Sequence, residues 1–273
     1  MKKDLKREGA IKKSSKKRAA RRKRKVAAFF LVFLFMLLCV GAALCATILF
    51  PIKNIVVDGN SIYTQQQIIS ASTVTEDDNL VVLSEKAVRN RISKALPYSG
   101  EIIIKKVFPD TVKITVNTAV PQYYMLSEKG YYVLDSNFKV IEETTQQPTE
   151  CIYIRCTMPE NVVLGEQFDF SAEERELFEK LSVSAEAKGL NITGMSLGDR
   201  LDVRMIVDNK IIINFGGDVD IEKKIIHFAA MYEKLSADAQ GIANLSLWTS
   251  TNTTATFRDV KIDLLNFCEL KVS

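Results

Sequence analysis

The spacing of apolar and polar residues predicts a mixture of strands and helices from about residue 51 onward. In Thr111–Thr118 the two classes alternate strictly, with Val112, Ile114 and Val116 on one face, which is typical of a strand with one buried side. Residues 84–96 instead place apolar side chains three or four positions apart, which predicts an amphipathic helix. The chain beyond residue 50 is therefore predicted to be an α+β protein.

Residues 51–120 are predicted to form one small domain with the order strand, helix, helix, strand, strand. A turn sequence at residues 58–60 ends the first strand. Thr64 and Gln67 have the spacing of a capping box, which predicts a helix start, and Ser84 is the predicted N-cap of the second helix. Such a unit packs two helices on one face of a small sheet.

Residues 121–258 are predicted to form a second, strand-rich domain with two helices, followed by a C-terminal tail at 259–273. The predicted helix caps are Ser171 and either Asp218 or Asp220. The predicted elements are strands Gln122–Leu126, Tyr131–Leu134, Lys139–Glu142 and Cys151–Thr157, helix Ala172–Lys188, strands Ile192–Leu197, Leu201–Val207 and Lys210–Phe215, helix Ile221–Leu235, and a final hairpin of Ala243–Trp248 and Thr253–Phe257.

Residues 26–50 form an unbroken apolar run without a charge, Asn, Gln, His or Pro. As a helix these 25 residues would be about 37 Å long, enough to cross a hydrocarbon core of about 30 Å with some tilt. A cleaved signal peptide is the alternative, since Gly41 and Ala43 resemble the small residues of a cleavage site. The apolar region of a signal peptide normally has about 7–15 residues, so a retained transmembrane helix is the favoured prediction.

Basic residues are concentrated before this apolar run. Residues 1–25 contain 14 Lys or Arg and two acidic residues, a net charge of +12, whereas the remaining 248 contain 23 basic and 31 acidic residues, a net charge of −8. Positive residues flanking a span stay cytoplasmic, which predicts a cytoplasmic N-terminus, an extracytoplasmic body and contacts of the tail with membrane lipids. Nucleic acid is not a predicted partner. The basic residues that directly flank the predicted helix are Arg21, Arg22, Lys23, Arg24 and Lys25.

The chain carries few residue patterns that would support catalysis. His227 is the single histidine, and no nucleophile-elbow, zinc-protease or P-loop pattern occurs. Outside the apolar run the cysteines are Cys151, Cys156 and Cys268, an odd number that argues against a disulfide framework. We therefore predict no enzymatic activity, no metal and no cofactor.

Several segments, taken in order, resemble the FtsQ/DivIB family of bacterial cell-division proteins. They are FPIKNIVVDGN at Phe50–Asn60, KKVFPDTVKITV at Lys105–Val116, Pro121, YYVLDSNFKVI at Tyr131–Ile141 and INFGGDVDIEKKI at Ile213–Ile225. The resemblance implies that residues 51–120 are a POTRA domain, that residues 121–258 are the family's β domain, and that the protein is a non-catalytic scaffold of the division septum. Thr118 and Ala119 depart from the family pattern, which usually has an acid–base pair there.

The same resemblance implies partners, namely FtsL-like and FtsB/DivIC-like bitopic coiled-coil proteins and other divisome components. In the family a partner segment adds a strand beside the last strand of the β domain, and exposed sheet edges commonly bind in this way. Two alternatives are a POTRA-bearing protein that assists export or assembly of other chains and a membrane-tethered envelope enzyme. The predicted contact residues are Leu245, Leu247, Trp248, Thr254, Thr256, Phe257 and Arg258.

Overall fold

The computed structural model describes residues 29–41, 49–261 and 267. Residues 29–41 form a helix, α1, and all of them are exposed. Among the described residues, no helix is long and apolar enough to cross a membrane. Outside the described residues lie the basic tail with residues 21–25, residues 26–28 and 42–48 of the predicted span, and residues 262–266 and 268–273 of the C-terminal tail.

The first sheet confirms the predicted order strand, helix, helix, strand, strand. The elements are β1 (Asn54–Asp58), α2 (Gln65–Ser72), α3 (Glu85–Ala95), β2 (Ser99–Val107) and β3 (Thr111–Thr118). The three strands are arranged β1-β3-β2. Burial alternates along β3 as predicted, with Val112, Ile114 and Val116 fully buried.

Two local features explain how the chain enters α2. The Thr64 hydroxyl accepts a hydrogen bond from the Gln67 amide at 3.3 Å, and the Gln67 side-chain oxygen accepts one from the Thr64 amide at 2.9 Å, so the predicted capping box is confirmed. Gly59 has a φ of +113°, and a Cβ there would lie 2.2 Å from the Val116 carbonyl oxygen. This turn therefore requires glycine.

A mixed sheet of nine strands forms the second part of the fold. Its elements are β4 (Pro121–Ser127), β5 (Gly130–Asp135), β6 (Val140–Thr144), β7 (Ile152–Arg155), α4 (Ala172–Glu186), β8 (Ile192–Ser196), β9 (Val203–Val207), β10 (Ile211–Gly216), α5 (Ile221–Tyr232), β11 (Gly241–Asn244) and β12 (Thr256–Asp259). The strand order is β12-β11-β10-β9-β8-β7-β4-β5-β6. The pairs β10–β11, β7–β8 and β4–β7 are parallel, and the others are antiparallel.

One face of the nine-stranded sheet carries the main core. Alternate strand residues such as Met205 and Phe215 cluster there with Leu181 of α4 and with Ile225 and Phe228 of α5. Each of these side chains lies in an element that the sequence predicts. We refer to this face as the core face and to the opposite one as the outer face.

The two long helices of this sheet start differently. The Ser171 hydroxyl accepts from the Glu174 amide at 3.1 Å, and the Glu174 carboxylate accepts from the Ser171 amide at 3.0 Å, which confirms the predicted cap of α4. Asp220 occupies the N-cap position of α5, but it has a φ of 55° and its side chain makes no capping hydrogen bond. Asp218 instead pairs with Arg200. Asp220 is therefore the N-cap residue of α5, one of the two predicted, but it caps the helix without a side-chain hydrogen bond.

Candidate partner-binding edge

The predicted contact residues lie at one edge of the nine-stranded sheet. β10 continues through α5 into β11, which pairs with it in parallel, and β12 then pairs antiparallel with β11. The register joins Gly241 to Asp259 and Asn244 to Thr256. Among the described residues no strand pairs with the other side of β12, so β12 is the edge strand at this end of the sheet.

The peptide groups of β12 alternate between its partner strand and the edge. The Val260 amide donates a hydrogen bond to the Gln240 carbonyl at 3.2 Å. Because bonded and non-bonded pairs alternate in an antiparallel ladder, the peptide groups of Arg258 face β11, and those of Phe257 and Asp259 face away from it. An added strand would therefore form its hydrogen bonds with Phe257 and Asp259.

Gly241 allows β12 to approach β11 closely. A Cβ at this position would lie 2.2 Å from the Arg258 carbonyl oxygen and 3.0 Å from Cζ of Phe257. A larger residue would force the backbone of one strand to move. The edge therefore depends on this glycine, which sequence reasoning did not single out.

The connection between β11 and β12 is longer than predicted. β11 ends at Asn244 and β12 begins at Thr256, so the predicted strands Ala243–Trp248 and Thr253–Phe257 are wrong in their extent. The Asn244 side-chain oxygen accepts a hydrogen bond from the Ser246 amide at 3.0 Å, which starts a turn where a strand was expected. The antiparallel pairing of the two strands confirms the hairpin itself.

Asn252 holds the centre of this connection together. Its side-chain amide donates to the Leu247 carbonyl at 3.4 Å, and its side-chain oxygen accepts from the Thr254 hydroxyl at 2.6 Å. Its backbone carbonyl accepts from the Thr249 amide at 2.7 Å. Residues of these types predict a loop, but their sequence does not indicate which side chain will order it.

The three contact residues from this connection divide between core and surface. Leu245 is fully buried and Trp248 is 8% exposed, and both belong to the main core, whereas Leu247 is 72% exposed. The Trp248 ring lies 5.9 Å from the His227 ring between centroids, and its buried indole N–H has no hydrogen-bond partner among the described residues. Leu245 and Trp248 support the edge from inside, and Leu247 is accessible to a partner.

The four remaining contact residues lie on β12 or just before it. Thr254 precedes the strand, and Thr256 is its exposed first residue. Phe257 is half-buried against the main core, while Arg258 is exposed and lies opposite Ile242. Directly opposite residues share a face of the sheet, so Phe257 anchors the strand on the core face and Arg258 projects from the outer face.

The described residues offer few side chains that could act as metal ligands or nucleophiles. Within residues 29–41, 49–261 and 267, no cluster of three His, Cys, Asp or Glu side chains could hold a metal ion. Cys151 and Cys156 are half-buried free thiols. Burial, aided by the Glu174 carboxylate, raises the pKa of Cys156 to about 12, so this thiol stays protonated and weakly nucleophilic at neutral pH.

Comparisons with known proteins agree with this fold. The family described as POTRA domain, FtsQ-type, matches residues 50–117. A protein of Clostridium acetobutylicum described as cell division protein DivIB is 26% identical over 191 residues, which cover 69% of this chain and 76% of the relative. DivIB of Clostridium tetani is 25% identical over 209 residues, covering 72% and 76%, and DivIB of Streptococcus gordonii is 26% identical over 193 residues, covering 68% and 46%.

The matched domain corresponds to the three-stranded sheet and its two helices, from just before β1 almost to the end of β3. The three relatives extend the similarity to about two thirds of the chain, and all carry the same description as cell-division proteins. With the ordered sequence segments noted above, these matches support the FtsQ/DivIB resemblance, since the chain contains an FtsQ-type POTRA domain and is similar to cell-division proteins described as DivIB.

Proposed function

We propose that the chain is a non-catalytic scaffold of the bacterial division septum. It joins other divisome proteins through its POTRA and β domains, at residues 51–120 and 121–258, and links them to septal cell-wall synthesis. The observation that carries the proposal is the β12 edge, whose outward peptide groups at Phe257 and Asp259 can pair with a strand from another chain. The relatives' description as cell-division proteins supports placing that partner in the division machinery.

The proposed partners are FtsL-like and FtsB/DivIC-like bitopic coiled-coil proteins, as the family resemblance implies. A partner segment would extend the sheet beside β12, so that main-chain hydrogen bonds supply affinity. Its alternate side chains would meet Phe257 on the core face and Arg258 on the outer face. Leu247, which is 72% exposed, adds an apolar contact next to the strand.

We place residues 26–50 across the cell membrane, with the basic tail in the cytoplasm and the two sheets outside. The support for this part of the proposal is the composition of the run and the state of α1, an apolar helix whose residues 29–41 are all exposed. A helix that is apolar on every side needs an apolar environment on every side. Arg21–Lys25 would then touch lipid head groups on the cytoplasmic side.

Asp259→Pro should weaken the pairing of a partner strand with the β12 edge while leaving the fold intact. Asp259→Pro removes an N–H that points away from β11, so we expect capture of a DivIC-like partner to fall roughly tenfold, as the loss of about 1 kcal/mol or more for a hydrogen bond implies. The measurement is co-purification of that partner with the full chain from detergent-solubilised membranes.

Two variants control for other effects of this substitution. Asp259→Ala keeps the amide and should bind as the wild type does. Arg258→Pro removes an amide that faces β11 and should lower stability as well as binding. If Asp259→Pro and the wild type capture equal amounts of partner, the edge-strand mechanism is wrong.

The cellular role predicts where the protein accumulates. A fluorescent fusion of the full chain should form a band at midcell in dividing cells, because a septal scaffold is held by its partners. Asp259→Pro should weaken the band and increase the signal along the remaining membrane. A uniform membrane signal for the wild-type fusion would contradict the role in division, whatever the edge binds in vitro.

A further inference from the structure

The outer face of the nine-stranded sheet carries a second, smaller apolar cluster close to the β12 edge. Ile206, Ile212 and Ile242, from β9, β10 and β11, are 2%, 2% and 6% exposed. Phe267 covers them and is itself fully buried. The Tyr153 ring borders the cluster, with its centroid 6.2 Å from that of Phe267 and the planes at 80°. This edge-to-face contact is a favoured geometry for two aromatic rings.

A buried arginine lies beside the same phenylalanine. Arg204 is 7% exposed, and its Nη1 donates to the backbone carbonyl of Phe267 at 3.2 Å. Its Nε donates to the Asp202 carboxylate at 2.7 Å, which holds the guanidinium in place. Arginine is seldom buried without such partners. Phe267 is thus held at two points, by its ring and by its peptide carbonyl.

The cluster and the edge strand share one face of the sheet. Ile242 lies directly opposite Arg258 in the β11–β12 ladder, so their side chains are neighbours on the outer face. Phe267 follows the end of β12 by only eight positions. Phe267 is therefore held on the same sheet, near the strand that precedes it in the sequence.

We propose that Tyr153, Arg204, Ile206, Ile212 and Ile242 form a receptor site for an aromatic residue of a peptide segment, and that Phe267 occupies it as an intramolecular latch. The apolar walls bind the ring, and the Arg204 guanidinium binds the carbonyl of the same residue. Because the tail is attached close by, its effective concentration at the site is on the order of millimolar, so an outside segment competes poorly while Phe267 is seated.

Opening of the latch would change the surface beside the edge. Three isoleucines that are now buried would form an apolar patch adjoining Arg258. Exposed apolar patches next to a sheet edge favour binding of another chain. The occupant we assign is the chain's own tail, and the receptor would accept an extended segment with an aromatic residue in its place only after the tail has left.

A peptide with the sequence of residues 260–273, carrying Cys268→Ser to avoid oxidation, tests the receptor directly. The full chain with Phe267→Ala, in detergent micelles, should bind the fluorescent peptide at least tenfold more tightly than the wild type does. The same peptide with Phe267→Ala should bind the emptied site at least tenfold more weakly. Phe267→Leu keeps an apolar side chain and should give intermediate binding, and it serves as the variant least disturbed in folding.

Circular dichroism first shows which variants are folded, and the peptide affinities of the folded variants then test the proposed receptor site. Equal affinity of the emptied and wild-type chains, or equal affinity for the phenylalanine and alanine peptides, would overturn the proposal. Failure of both folded variants to bind any peptide would do the same. The assay contains no division partner, so its result does not depend on the proposed function of the β12 edge.

Discussion

Replacing Leu245 with alanine should lower the free energy of unfolding by about 2–5 kcal/mol, whereas Leu247→Ala should change it by less than about 0.5 kcal/mol. The two residues have the same chemistry and lie two positions apart, but Leu245 is fully buried in the main core and Leu247 is 72% exposed. The loss at Leu245 combines the transfer of buried methyl groups to water with the cavity that remains. Denaturant unfolding of the full chain in micelles, followed by tryptophan fluorescence, measures both values.

The chain offers a suitable reporter for this experiment, because Trp248 is its single tryptophan and packs in the same cluster as Leu245. At low denaturant, Leu247→Ala should weaken partner capture more than Leu245→Ala does, which is the reverse of their effects on stability. Leu247→Ala should weaken it although the fold is intact, and Leu245→Ala should weaken it only as far as the edge becomes disordered. Equal losses of stability for the two variants would show that the connection is packed differently.

Gly241→Ala should destabilise the edge by about 1–3 kcal/mol, the usual cost of forcing extra atoms into a packed position. The new Cβ would lie 2.2 Å from the Arg258 carbonyl oxygen, which is backbone and cannot rotate away. We expect β12 to separate from β11 and partner capture to be lost. Hydrogen exchange at the amides of Ile242 and Arg258 would measure the separation of the two strands directly.

Gly217→Ala is the matched control for this variant. A Cβ at residue 217 would meet only the Arg200 carbonyl oxygen, at 3.8 Å, so it fits without movement. We expect its stability to stay within about 0.5 kcal/mol of the wild type, since removing a glycine also restricts the unfolded chain. If Gly241→Ala and Gly217→Ala have the same stability, the close approach of β12 to β11 does not depend on Gly241.

Elements specified by local chemistry could be predicted from the sequence. β3 follows from strict alternation in Thr111–Thr118, and the starts of α2 and α4 follow from the residues that form their capping hydrogen bonds. In each case the residues that carry the pattern also make the contacts that stabilise the element. The strand-helix-helix-strand-strand order was predictable for the same reason.

The edge was only partly predictable, because its details depend on contacts between distant residues. Leu245 and Leu247 have the same sequence signal, and only the position of the core shows that one is buried and the other exposed. The requirement at Gly241 arises from Arg258, 17 positions away. Phe267 lies on β9, β10 and β11 through side chains from three separate strands, which no periodicity within the tail could indicate.

The position of β12 in the strand order also bears on when the binding edge comes into existence. β12 is the last strand among the described residues, it pairs with β11, and β11 is itself held by β10 through a parallel crossover. Because a chain is made from its N-terminus, β12 can join the sheet only after strands β4 to β11 have been synthesised. A chain that stops before β12 would lack this edge, so partner capture would report that the sheet is complete.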